Sequence, residues 1–131
     1  MNIGIIREGK NPPDHRTPFT PKQLHQLSEQ YAGKLDFLVE ASPVRSYSDD
    51  EYREVGISVV EDVSEADVLF GVKEVPVDQL MPDKTYLFFS HTIKKQTKNR
   101  KLLQAILQNN IRLIDYGVLK DGEGNRVVAF G

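Results

Sequence analysis

Two apolar runs constrain this chain more than any other feature: V-L-F-G-V at 68–72 and Y-L-F-F at 86–89, neither interrupted by polar residues. Unbroken runs of this length read as strands buried on both faces, the signature of a parallel sheet. The first run is followed by Lys73 and Glu74, the second by Ser90 and His91. If the two strands are parallel neighbours, Lys73 and His91 emerge at one edge of the sheet. The carboxyl edge of an open α/β sheet is where ligands bind. The connection from Val75 to Lys84 lies near the lower limit for a parallel crossover, which ordinarily takes about a dozen residues.

The remaining segments extend the same pattern. Strands are expected at Asn2–Ile6, Leu35–Val39, Ile57–Val60, Asp67–Val72, Lys84–Phe89 and Ile111–Ile114. Between the first two, N-P-P-D-H-R-T-P must be a loop, because proline removes donors and fixes φ. Thr20-Pro21-Lys22-Gln23 opens a helix with a capping box and a proline at the first helical position, and Leu24, Leu27 and Tyr31 mark one face until Gly33. Ser48-Asp49-Asp50-Glu51 is a second capping box, and Gly56 ends its helix. Val63–Ala66 reads as a turn or helical fragment, and Asp78–Met81 as one helical turn. A further helix over Gln96–Gln108 carries a stripe of Leu102, Leu103, Ile106 and Leu107. D-G-E-G-N at 121–125 is a turn, with a closing strand at Arg126–Phe130 expected to pair antiparallel. Alternating strands and helices give one α/β domain over residues 1–131, a mostly parallel sheet flanked on both faces, Rossmann-like or flavodoxin-like.

Composition excludes several function classes. The 131 residues are 39% apolar, enough for one core, and a formal net charge of -2 argues against a nucleic-acid or anionic-membrane partner. There is no cysteine, which removes disulfides, thiolate nucleophiles and cysteine metal sites. The opening M-N-I-G-I-I-R-E lacks a basic leader and a long apolar core, and no run approaches membrane-spanning length. A cytoplasmic protein is expected.

Ionisable residues collect at four strand ends: Arg7 and Arg16, Lys73 and Glu74, His91 and Lys94, and Asp115. Polar residues mark the exit of any strand into solvent, so a single charge there carries little weight. Lys73 follows five apolar residues and precedes an acid, so burial and the carboxylate act oppositely on its proton. His91 follows the apolar L-F-F-S and titrates in the range useful to acid–base chemistry, although a histidine bonded to backbone at a strand end reads equally well. His15 lies in the proline-rich loop and His25 on the polar side of a helix. The three histidines lack the spacing of a zinc motif. Ser90 and His91 do not form a triad, since adjacent strand residues point to opposite faces. Gly122-Glu123-Gly124 sits in a turn and lacks the third glycine of a dinucleotide fingerprint, so no nucleotide site is expected in this domain.

Several of these segments together resemble a known family. I-G-I-I-R-E-G-K-N-P-P-D-H-R-T-P-F-T-P is similar to the opening of the alanine dehydrogenase and transhydrogenase superfamily. F-F-S-H-T-I-K-K-Q, L-I-D-Y and G-N-R-V-V-A-F-G resemble lysine-forming saccharopine dehydrogenase and the lysine–2-oxoglutarate reductase domain of bifunctional enzymes. The resemblance implies an NAD- or NADP-dependent oxidoreductase of lysine metabolism that interconverts lysine plus 2-oxoglutarate with saccharopine. It makes Lys73 the acid–base group for the secondary amine and His91 the proton carrier for the imine and carbinolamine steps. Glu74 would tune Lys73, Arg16 and Lys94 would hold substrate carboxylates, and Arg126 would contribute near the cofactor. A tricarboxylate substrate needs several cations, and imine chemistry needs nitrogen acids and bases near neutrality.

Two departures stand out. Many relatives carry a glutamate where this chain has Gly117 in L-I-D-Y-G, and in the family a dinucleotide-binding domain follows the segment that ends here at Gly131. The chain is therefore expected to be the substrate domain alone, unable to transfer hydride by itself. The rival readings are an alanine-dehydrogenase-like enzyme acting on another amino acid and a non-catalytic amino-acid-binding module of the same fold.

Overall fold

The computed structural model describes residues 1–91 and 99–128. Its strands are β1 (Asn2–Ile5), β2 (Asp36–Glu40), β3 (Ser58–Val60), β4 (Val68–Lys73), β5 (Thr85–Phe89) and β6 (Arg112–Asp115). They form one sheet in the order β3-β2-β1-β4-β5-β6, and every neighbouring pair is parallel. The helices are α1 (Pro21–Gln30), α2 (Asp49–Glu54) and α3 (Arg100–Gln108).

Crossover handedness explains the layers. The chain steps from β1 outward to β2 and β3 on one side, then returns to β4 and steps outward to β5 and β6 on the other. Right-handed crossovers in opposite directions must use opposite faces. Accordingly α1 and α2 pack through Leu24 and Tyr52 on the face presenting Ile3, Ile5 and Val39. On the other face, α3 packs through Leu102, Ala105 and Ile106 against Leu69, Tyr86 and Phe88. Fully burying a side chain such as Leu69 or Phe88 contributes roughly 1.5–3 kcal/mol.

Both capping boxes form as the sequence predicts. Thr20 Oγ1 accepts from the Gln23 amide at 3.2 Å, and Gln23 Oε1 accepts from the Thr20 amide at 2.9 Å. The Ser48–Glu51 pair repeats this at 3.2 Å and 2.7 Å, and Gly56 follows α2 at φ +83°. The short β4–β5 connection is sufficient: a 3-10 turn at Val77–Gln79 and the buried Val75 and Leu80 carry it across the α3 face. Val63–Ala66 is a turn, closed by the Ala66 amide on the Val63 carbonyl at 2.9 Å.

Two expectations change in extent. Strand boundaries shift by a residue, so that Lys73 is the last residue of β4 and Asp115 the last of β6. Over its described part, 126–128, the closing strand is one antiparallel bridge between Lys120 and Arg126, and 129–130 lie outside the described residues. The Asp121 carboxylate gathers the amides of Glu123 and Asn125 into the turn at 121–125.

Candidate functional site at the sheet switch point

The strand order reverses between β1 and β4, and the loops leaving their carboxyl ends diverge. In doubly wound sheets this divergence opens a crevice for ligands. The Ile6 amide on the Phe70 carbonyl, at 3.0 Å, is the last backbone bond joining the two strands there.

Beyond that point β4 is irregular. Phe70 pairs with Leu87, but the next pair is Lys73 with Phe89, so β4 spends one residue more than β5 over the interval. Such a bulge re-aims a side chain at the end of a ladder. Gly71 permits it, since a Cβ there would stand 3.0 Å from Ile6 Cδ1 and 3.3 Å from Glu8 Oε2. Glu8 then accepts the amides of Val72 at 3.2 Å and Lys73 at 2.5 Å. Burial pushes the Glu8 carboxyl up, and those two amides oppose the shift.

The loop after β1 supplies the counter-charge. Arg16 makes a fork onto Asp14, with Nε 2.9 Å from Oδ1 and Nη2 2.7 Å from Oδ2, and its own amide donates to Oδ1 at 2.9 Å. Lys73 Nζ lies 3.3 Å from the same Oδ2. The hydrogen bond from Arg16 holds the Asp14 carboxyl well below the usual carboxylate range, and the pairing pushes the guanidinium up. The sequence therefore places Arg16 and Lys73 on different elements, and the structure joins them through one carboxylate. Tyr52 fixes the far end of this loop: its hydroxyl donates to the Phe19 carbonyl at 2.6 Å.

His91 follows β5, whose last residue Phe89 pairs with Lys73 at the end of β4. It is exposed, takes a left-handed backbone at φ +57°, and stacks on Phe89 with centroids 6.5 Å apart. Phe89 also meets Tyr116 edge-on at 5.1 Å, and burial pushes the Tyr116 phenol up so that it stays neutral. A cleft of about 380 Å³ opens here, mostly apolar, with Arg16 on its wall beside Phe19, Phe70, Phe89 and Tyr116. One guanidinium thus stands beside an apolar wall, the lining pattern of small-molecule sites.

The other sequence candidates lie apart from this cluster. Glu74 is engaged by Lys10 in an ion pair, while Lys73 turns to Asp14. Arg126 is exposed on the Lys120 bridge. Lys94 falls outside the described residues. A Cβ at Gly117 would stand 3.2 Å from Asp115 Oδ1 and 3.9 Å from Phe89, so position 117 faces the strand end that carries His91. His15, between Asp14 and Arg16 in the same loop, meets the Val44 carbonyl, and His25 meets the Val55 carbonyl at 3.1 Å. Asp14 and Glu8 are the residues that sequence reasoning missed. Their signals were an acid two positions before Arg16 in one tight loop, and an acid just past the end of β1.

The described residues form no pyrophosphate cradle at this crevice. Such a cradle would need a glycine-rich turn running directly into a helix, with amides pointing outward. Here α1 starts only at Pro21, and the turn after β1 presents Glu8 and Asp14 carboxylates instead. Among the described residues no group of three or more His, Asp or Glu side chains could hold a metal ion. Among them also, no helix is long and apolar enough to cross a membrane.

Comparison with known proteins agrees with the fold. Residues 4–131 match the model of the alanine dehydrogenase/PNT N-terminal domain. The chain is 44% identical over 129 residues to the mitochondrial alpha-aminoadipic semialdehyde synthase of Bos taurus, covering 98% of this chain and 14% of that protein. It is 32% identical over 131 residues to the NAD(+), L-lysine-forming saccharopine dehydrogenase of Yarrowia lipolytica, covering 96% of this chain and 35% of the relative. Among solved structures, an L-alanine dehydrogenase superposes with a TM-score of 0.77 at 22% identity, over 95% of this chain and 35% of that one. The transhydrogenase from Sinorhizobium meliloti gives 0.73 at 15% identity, over 91% and 36%. Fold and sequence agree: the chain belongs to the alanine dehydrogenase/PNT N-terminal domain family.

Proposed function

We propose that this domain is the substrate side of a saccharopine dehydrogenase-type oxidoreductase, joining lysine and 2-oxoglutarate to form saccharopine or running the reverse. NAD or NADP is the redox partner, held by a separate dinucleotide-binding domain. The observation that carries the reading is the cluster of Lys73, Arg16 and Asp14 at the switch point, with His91 on the adjoining strand end. The names of the relatives point the same way, since one is a saccharopine dehydrogenase described as L-lysine-forming.

In this reading Arg16 exchanges its fork on Asp14 for a substrate carboxylate, which has the same planar geometry. Lys94 holds a second carboxylate, and Arg126 contributes toward the cofactor side. The lysine amine adds to the ketone of 2-oxoglutarate to give a carbinolamine. His91 delivers the proton with which its hydroxyl leaves as water, and an imine remains. Lys73 carries the proton of the secondary amine, while Asp14 balances the charge of Lys73 and Arg16 when the site is empty. The apolar wall of Phe19, Phe70 and Phe89 receives the methylene chain.

The direct test uses the full-length protein. Oxidation of NAD(P)H should require lysine and 2-oxoglutarate together, and neither alone should support it. Turnover with pyruvate and ammonia in their place would sink the assignment.

A further inference from the structure

Ser90 and Asp115 are both buried, and neither has a part in the proton transfers described above. Ser90 directly follows β5, and Asp115 closes β6, the neighbouring parallel strand. The Ser90 hydroxyl donates to Asp115 Oδ2, and Asp115 Oδ1 accepts the Gly117 amide at 2.8 Å. One carboxylate thus ties the end of β5 to the first turn after β6. The residue immediately after Ser90 is His91, at φ +57°. That left-handed conformation is uncommon for a residue other than glycine, and such positions cluster at functional sites. A second restraint acts from the other side: the buried Asn99 donates through Nδ2 to the His91 carbonyl at 3.3 Å.

We propose that Ser90 and Asp115 are positioning residues for His91. Their bond pins the strand end so that the chain turns left-handed at residue 91 and lays the imidazole along Phe89, beside the end of β4. The pair touches neither substrate nor reacting atoms and acts only through His91. The proposal rests on the proton-carrying role assigned to His91 above.

The test is a double-mutant cycle in the full-length protein, with Ser90→Ala, His91→Gln and the combined variant, each checked for folding by circular dichroism. Ser90→Ala should lower kcat about ten- to a hundredfold, the scale of a misplaced catalytic group, with KM within about twofold. The combined variant should be no slower than His91→Gln alone, because a residue acting through His91 has nothing left to position. Losses that multiply would overturn the proposal, as would Ser90→Ala at parental kcat. A purely structural role would lower stability without producing that non-additivity. If Ser90→Ala does not fold, Asp115→Asn replaces it with the same expectations. Full activity in His91→Gln is a separate outcome: it would remove the role of His91 itself, and the positioning role with it.

Discussion

Lys73 at the end of β4 and His91 beyond the end of β5 stand on neighbouring parallel strands, yet the chain holds them in different ways. The lysine is held by charge: Asp14 on the loop after β1 pairs with its ammonium, and Glu8 takes its backbone amide. The histidine is held by backbone geometry, through a left-handed turn between a Ser90–Asp115 bond and an Asn99 contact. An ammonium on four methylenes samples many positions, so a fixed counter-charge is what localises it. An imidazole has two torsions, so fixing its backbone and one stacking face suffices. The lysine end is therefore sensitive to charge and pH, and the histidine end to strand geometry.

The contrast can be broken at several points. Lys73→Met and His91→Gln should each lower turnover of the full-length protein by roughly two powers of ten or more, the loss typical of a removed acid–base group. Steady-state rates check this, and parental activity in both variants would remove the acid–base pair.

The two carboxylates at the lysine end should show opposite pH behaviour in urea denaturation. Asp14 has an ordinary value near 3.8 and is depressed by the hydrogen bond from Arg16. Its contribution is fully present above that ordinary value and lost as pH falls through the depressed one. Asp14→Asn should therefore destabilise by an amount that stays constant from neutrality down to about pH 4 and shrinks only in stronger acid. Glu8, ordinarily near 4.5, is raised by burial. Its contribution is fully present below 4.5 and lost as pH rises through the raised value. Glu8→Gln cannot ionise, so its unfolding midpoint should gain on the parent as pH rises through that window, although one amide loses its acceptor. Matching slopes for the two variants would refute the separate electrostatic assignments. The smallest effect is expected at the loop anchor: Tyr52→Phe should cost about 1 kcal/mol, the net worth of a buried hydrogen bond. Loosening the Arg16 loop in this way should raise KM more than it lowers kcat, the split that follows from the proposed carboxylate-holding role of Arg16.

Local chemistry made much of the fold legible. Thr20–Gln23 and Ser48–Glu51 form caps from contacts three residues apart, so their spacing in the sequence suffices. The unbroken apolar runs of β4 and β5 announce a sheet covered on both faces. Of the sequence candidates, Arg16 and Lys73 are brought together on Asp14, and His91 lies just past the adjoining strand end. The site was less legible where partners come from distant loops. Asp14 lies in a proline-rich loop with no periodicity to say which way its carboxylate points, and only tertiary structure brings it to Lys73. Glu74, beside Lys73 in sequence, meets Lys10 instead, because successive residues at a strand end project to opposite sides. The Ser90–Asp115 bond spans two strands, and no local pattern encodes it.

The most direct measurement is a crystal structure of the full-length protein with saccharopine bound. The secondary amine should lie within hydrogen-bond reach of Lys73 Nζ, about 2.6–3.2 Å, with a carboxylate in the fork of Arg16 and the imidazole of His91 facing the same nitrogen-bearing carbon. A ligand seated away from the crevice between β1 and β4, or an amine facing neither Lys73 nor His91, would contradict the account.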